Sequence, residues 1–148
     1  MKLWVSLYGM IWIVFIKFLL VMVSRGSLVL IYLHTILGFV VVGVAFYNFS
    51  GIRNTRIAGR VKRTARVCFY FSVVIAILGI PLLLDVGKEL IIPLLNISIY
   101  RFILLVHLVI ALAIITQAAA IAIAHDMWEN REFEEETEPG SVPPMPKP

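Results

Sequence analysis

Three side chains stand where hydrocarbon makes them expensive: His34, His107 and Lys17, each inside an otherwise apolar stretch. An imidazole in lipid is costly unless something binds it. Two imidazoles at one depth on facing helices are the donor pair that axial ligation of a haem iron requires. Whether these two share a depth depends on the segments that carry them.

The chain has 148 residues, of which 61% are hydrophobic, with a mean hydropathy of +0.97. A soluble domain of this size cannot hide so much apolar surface, so lipid must solvate part of it. A membrane helix needs about 20 apolar residues, and four segments qualify: roughly 3–23, 28–48, 67–85 and 102–125. The first is long for a leader peptide and no small-residue cleavage pattern follows it, so it counts as a span. The expected fold is all-α: an antiparallel bundle of four transmembrane helices over 1–125, followed by an acidic, proline-rich tail over 126–148.

Six of the thirteen basic residues (Arg53, Arg56, Arg60, Lys62, Arg63 and Arg66) fall between the second and third spans. The positive-inside rule places that connection in the cytoplasm. Both termini follow it there, while the Ser24–Ser27 turn and the 86–101 connection lie outside. The expected location is a prokaryotic plasma membrane. The outer connection, Leu90–Ile97 with Pro93, is too apolar for a free loop. It reads as a short amphipathic segment on the outer surface, or else as a frayed extension of the third helix. Met127–Phe133 continues the fourth helix, and Pro139-Gly140 ends it.

This topology sets the depths. His34 lies about 9 Å below the outer start of its helix near Leu28, and His107 about 8 Å below the start near Phe102. The two imidazoles therefore share a level in the outer leaflet and are the expected metal ligands for one haem b. Gly38 and Ala111 each follow a histidine by four residues and leave space one turn deeper, although small residues also serve helix packing. Gly43 and Ala113 continue that pattern loosely.

Lys17 falls near the same level and can meet a haem propionate, as can Arg101, Lys88 or Arg25 nearer the surface. Snorkelling toward the interface is the other role open to Lys17. His125 ends the fourth helix about 27 Å from His107 and has no histidine partner at its depth, so it reads as an interface residue. Gln117 reads as a helix-to-helix hydrogen-bonding residue. Pro81, after Gly79, kinks or ends the third helix.

The single cysteine, Cys68, excludes internal disulfides, cysteine-rich zinc sites and Fe–S clusters, and Cys-x-x-Cys-His is absent. No phosphate loop, nucleophile elbow, His-Glu-x-x-His motif or pair of in-membrane carboxylates appears. Nothing points to nucleic acid, because the membrane explains the clustered basic residues.

Leu33-His34-Thr35-Ile36-Leu37-Gly38 matches Val106-His107-Leu108-Val109-Ile110-Ala111 in pattern, 73 residues apart. Four helices with histidines on the second and fourth resemble one half of the heme A synthase family over about residues 28–125. The resemblance implies a haem-type site between those two helices. In that family the half that holds the substrate haem has a glutamate one turn before the second-helix histidine. Leu30 occupies that place here, which leaves the holding role standing and counts against the oxidative one. Membrane b-type cytochromes built of four helices are similar in the same way.

The leading expectation is an electron-transfer subunit holding one haem, with quinol or other membrane subunits of a redox complex as partners. A cofactor-free accessory subunit and a half-size heme A synthase-like enzyme are the alternatives. For the topology, a cysteine introduced at Ser27 is expected to react with an impermeant thiol reagent from outside intact cells. Labelling only after lysis would reverse the orientation.

Overall fold

A computed structural model describes residues 3–24 and 27–137 of the chain. The Arg25-Gly26 turn, and the tail from 138 with its Pro139-Gly140 stop, lie outside the described residues. Four helices carry the fold: α1 (Leu3–Ser24), α2 (Leu28–Arg53), α3 (Gly59–Leu83) and α4 (Ile99–Thr137). All four are long and apolar enough to cross a membrane. Large apolar side chains such as Trp12, Phe39, Ile77 and Val109 point outward on every helix. Water does not tolerate such a continuous apolar surface. The chain is an integral membrane protein.

The helices pack in a ring: α1 against α2 and α4, and α3 against the same two. The second and fourth helices therefore face each other across the bundle diagonal. Small residues (Ala45, Ala65, Cys68, Ala118, Ala122) line the packed interior and let backbones approach where lipid offers no hydrophobic drive. Leu7, Met10, Ile52 and Ile114 fill what they leave. Two hydroxyls inside the helices are satisfied locally: Ser72 Oγ donates to the Cys68 carbonyl at 2.9 Å and Thr35 Oγ1 to that of Ile31 at 3.0 Å.

The buried core stops part-way along the bundle. Its last members are Lys17 on α1, Val41 on α2, Ile75 on α3 and Ile114 on α4. From Leu28 to Val41, a rise of about 20 Å, no α2 side chain is fully buried. The same holds for α4 before Ile114.

The helices extend further than the hydropathy of the chain indicates. The second ends at Arg53, past the span's 48, the third begins at Gly59, ahead of 67, and the fourth runs from Ile99 to Thr137, past the 102–125 span and its expected continuation to Phe133. Hydropathy marks only the part in hydrocarbon, whereas the hydrogen-bond ladder continues into the interface. The link from Asn54 to Ala58 is consequently tight. Ile57 buries itself there, and Lys62 Nζ donates to the Arg53 carbonyl at 3.2 Å, tying the start of α3 to the end of α2.

The 86–101 connection is not a frayed extension of α3, and the short apolar segment in it is not helical. It forms a two-stranded antiparallel hairpin, β1 (Ile91–Ile92) and β2 (Ile97–Ser98), pairing Ile91 with Ser98 and Ile92 with Ile97. Pro93 denies a helix its backbone donor, Asn96 takes the positive φ the turn needs (50°), and the β-branched isoleucines suit the paired strands. Leu94 at the tip is 92% exposed. Ile99 N–H donates to the Leu90 carbonyl at 2.8 Å and Tyr100 N–H to that of Gly87 at 3.2 Å, which seats the start of α4 on the connection.

Gly87 has φ +80°, and a Cβ there would lie 2.9 Å from Ile99 Cβ. Gly87→Ala is therefore expected to destabilise the fold by about 1 kcal/mol or more, read as a lower thermal midpoint in detergent. An unchanged midpoint would mean that this turn does not hold α4.

Candidate functional site

The ring order α1–α2–α3–α4 brings one residue from each helix to a common group. His34 on α2 and His107 on α4 face each other across the diagonal, with ring centroids 6.3 Å apart and planes inclined by 38°. Between them α1 contributes Lys17, whose backbone carbonyl lies 3.1 Å from His34 Nδ1. On the remaining side α3 contributes Gly79, where a Cβ would lie 3.7 Å from His107 Cε1.

The spacing of the rings has a chemical meaning. Metal–imidazole bonds of about 2 Å, with each ring centre about 1 Å beyond its nitrogen, put two ligands of one ion roughly 6 Å apart, centroid to centroid. A contact of His34 Nδ1–H with the Lys17 carbonyl fixes the tautomer and leaves Nε2 with a free lone pair, the arrangement in which a histidine can take a metal. His107 is less complete: its Nδ1 is buried without a hydrogen-bond partner. Both rings are only half-buried, because they stand where the packed core has ended.

Lys17 is 8% exposed, and among the described residues no carboxylate pairs with it. Its ammonium rests against α2 at Gly38, where a Cβ would come within 3.1 Å of Nζ. Gly38 thus makes room for the lysine itself. The charge is held inward rather than snorkelled to the interface.

The other candidates divide. Ala111 packs against the buried core one turn from His107. A Cβ at Gly43 would meet nothing within 4 Å, so no close approach depends on that glycine. Arg101 is exposed in the first turn of α4, where its backbone N–H donates to Ser98 Oγ at 3.3 Å. Lys88 is tied to Asp85 at 2.8 Å and stands 5.4 Å from the centre of the Tyr100 ring. The hydrogen bond to the Asp85 carboxylate raises the Lys88 pKa above its ordinary value. Neither Arg101 nor Lys88 contributes to the histidine group, and Arg25 lies outside the described residues.

Two features at the far end of the bundle were not legible from residue types alone. Gln117 makes no helix-to-helix bond through Oε1, which is buried and unpartnered, as are Ser6 Oγ and Asn48 Oδ1. Asn48 Nδ2 reaches only Met10 Sδ, at 3.7 Å. His125 is buried against its neighbours, edge-on to the Trp128 ring at 5.8 Å. Beside it Asp126 accepts a 2.6 Å hydrogen bond from Tyr8 OH.

A buried ammonium with no paired carboxylate costs the cofactor-free bundle stability. Lys17→Met is expected to raise the thermal midpoint of that form by the equivalent of about 1 kcal/mol or more. A clear drop would show that the ammonium already has a partner within the protein.

No protein-family model, curated protein or solved structure matches this chain.

Proposed function

We propose that the chain is a small membrane b-type cytochrome, holding one haem between α2 and α4 and serving as an electron-transfer subunit. The observation that carries this reading is the approach of His34 and His107 to 6.3 Å across the bundle diagonal. Their own protein environment does not account for the pair. The rings neither stack nor bond to each other, one nitrogen is orphaned, and no buried core surrounds them.

In this reading His34 and His107 are the axial ligands. The Lys17 carbonyl holds the His34 ring in register, and the Lys17 ammonium at Gly38 meets a carboxylate of the bound group. Gly79 gives His107 clearance, and Ala111 keeps the surface one turn deeper low. A haem held by two imidazoles has no open iron position and carries single electrons rather than binding oxygen. Leu30, in the place of a carboxylate, leaves the chain without a group to assist oxidation of what it holds.

The basic connection Arg53–Arg66 sets the orientation. The helices alternate in direction, both termini face the cytoplasm, and the histidine level lies toward the external side of a prokaryotic plasma membrane. One haem on one side does not carry electrons across the bilayer. A quinol or a neighbouring redox subunit completes the path.

Protein purified after expression with ample haem is expected to bind one haem per chain. Its reduced-minus-oxidised visible spectrum should be that of a six-coordinate b-type centre. His34→Ala and His107→Ala should each remove or change it. A colourless preparation, or a spectrum that both substitutions leave intact, would overturn the assignment.

A further inference from the structure

At the opposite end of α4 from His107, one ring nitrogen of His125 and one carboxylate oxygen each from Asp126 and Glu129 lie within 4.8 Å of one another. Positions 125 and 129 share a helix face, while Asp126 points about 100° round the helix and reaches the cluster through its side chain. His125 is only 6% exposed. Its Nδ1 is buried without a hydrogen bond, and the nearest carboxylate oxygen, Glu129 Oε2, stands at 3.7 Å, too far for one. A buried imidazole nitrogen that faces a carboxylate at 3.7 Å and makes no hydrogen bond lacks a partner.

We propose that His125, Asp126 and Glu129 form a site for a divalent first-row transition ion. One imidazole and two carboxylates are a nitrogen–oxygen donor set of the kind that such ions take. Bonds of about 2.1 Å place neighbouring ligand atoms roughly 3 to 3.5 Å apart, so the cluster closes on an ion through a small rotation of Glu129. The Glu129 side chain is 42% exposed and free to make that rotation. Asp126 is already oriented: Tyr8 OH on α1 donates to its Oδ2, the outer contact that metal-ligating carboxylates commonly have. Three protein ligands leave further positions for water, and the ion would fasten α4 to α1 through Tyr8.

This site is independent of the histidine pair and requires no haem. Trp128, edge-on to His125, reports on it directly. With Trp4 and Trp12 replaced by phenylalanine, Trp128 is the sole tryptophan. Co²⁺ added to the full-length protein in detergent is expected to quench its fluorescence saturably at one ion per chain. Cobalt bound at His107 would lie about 30 Å away along α4 and would leave Trp128 bright.

Glu129→Gln, a substitution at a partly exposed position, is expected to weaken the quenching tenfold or more while the helical circular dichroism is unchanged. Tyr8→Phe should weaken it by a similar factor, and His125→Ala should abolish it. Equal quenching in Glu129→Gln, or quenching erased by a hundredfold excess of Mg²⁺, would overturn the site and assign the ion to the acidic residues after 131.

Discussion

Hydrocarbon supplies no hydrogen bonds, and that constraint orders this molecule. Every polar atom inside a four-helix membrane bundle must find its partner in the bundle or in something the bundle holds. Most do. Serine and threonine hydroxyls return to their own helix carbonyls, and the hairpin gives its backbone groups to the start of α4. Among the described residues, the buried groups left without a hydrogen-bond partner are His107 Nδ1, Ser6 Oγ, Asn48 Oδ1, Gln117 Oε1 and His125 Nδ1, and no carboxylate pairs with the Lys17 ammonium. The functional reading rests on the charged or ligating members of that set: Lys17, His107 with His34 facing it, and His125.

Packing agrees with the polar groups. One part of the bundle has a conventional core, with small residues on the contacts and Leu7, Met10, Ile52 and Ile114 filling the space. Beyond Lys17 and Val41 the inward faces carry glycine, alanine and histidine, and none of their side chains is sealed from a small solvent molecule. Membrane helices gain little from burying leucine against leucine when lipid is equally apolar. A bundle can therefore carry a thinner core at one end at low cost. The end with the thinner core is the end that holds the paired rings.

The four spans were legible because length and hydropathy alone define them, and the common depth of His34 and His107 followed from counting helical rise from the loops. What eluded the sequence depended on which face of a helix meets which neighbour. Gly38 reads as clearance for a cofactor, yet it accommodates Lys17. Gly79 reads as part of a proline kink, yet it stands against His107. The run Leu90–Ile97 is apolar throughout, so its periodicity could not separate a surface helix from the hairpin that Pro93 and Asn96 impose. His125 was weighed by its lack of a histidine partner, while its actual neighbours, Asp126 and Glu129, stood one and four residues further along the same helix.

The central claim is that both imidazoles bind one iron. Electron paramagnetic resonance of the oxidised, haem-loaded protein examines that ligation without reference to electron donors or partner subunits. The account requires a low-spin ferric signal that becomes high-spin when either His34 or His107 is replaced by alanine. A high-spin signal in the unaltered protein, or a low-spin signal that survives both replacements, would contradict it.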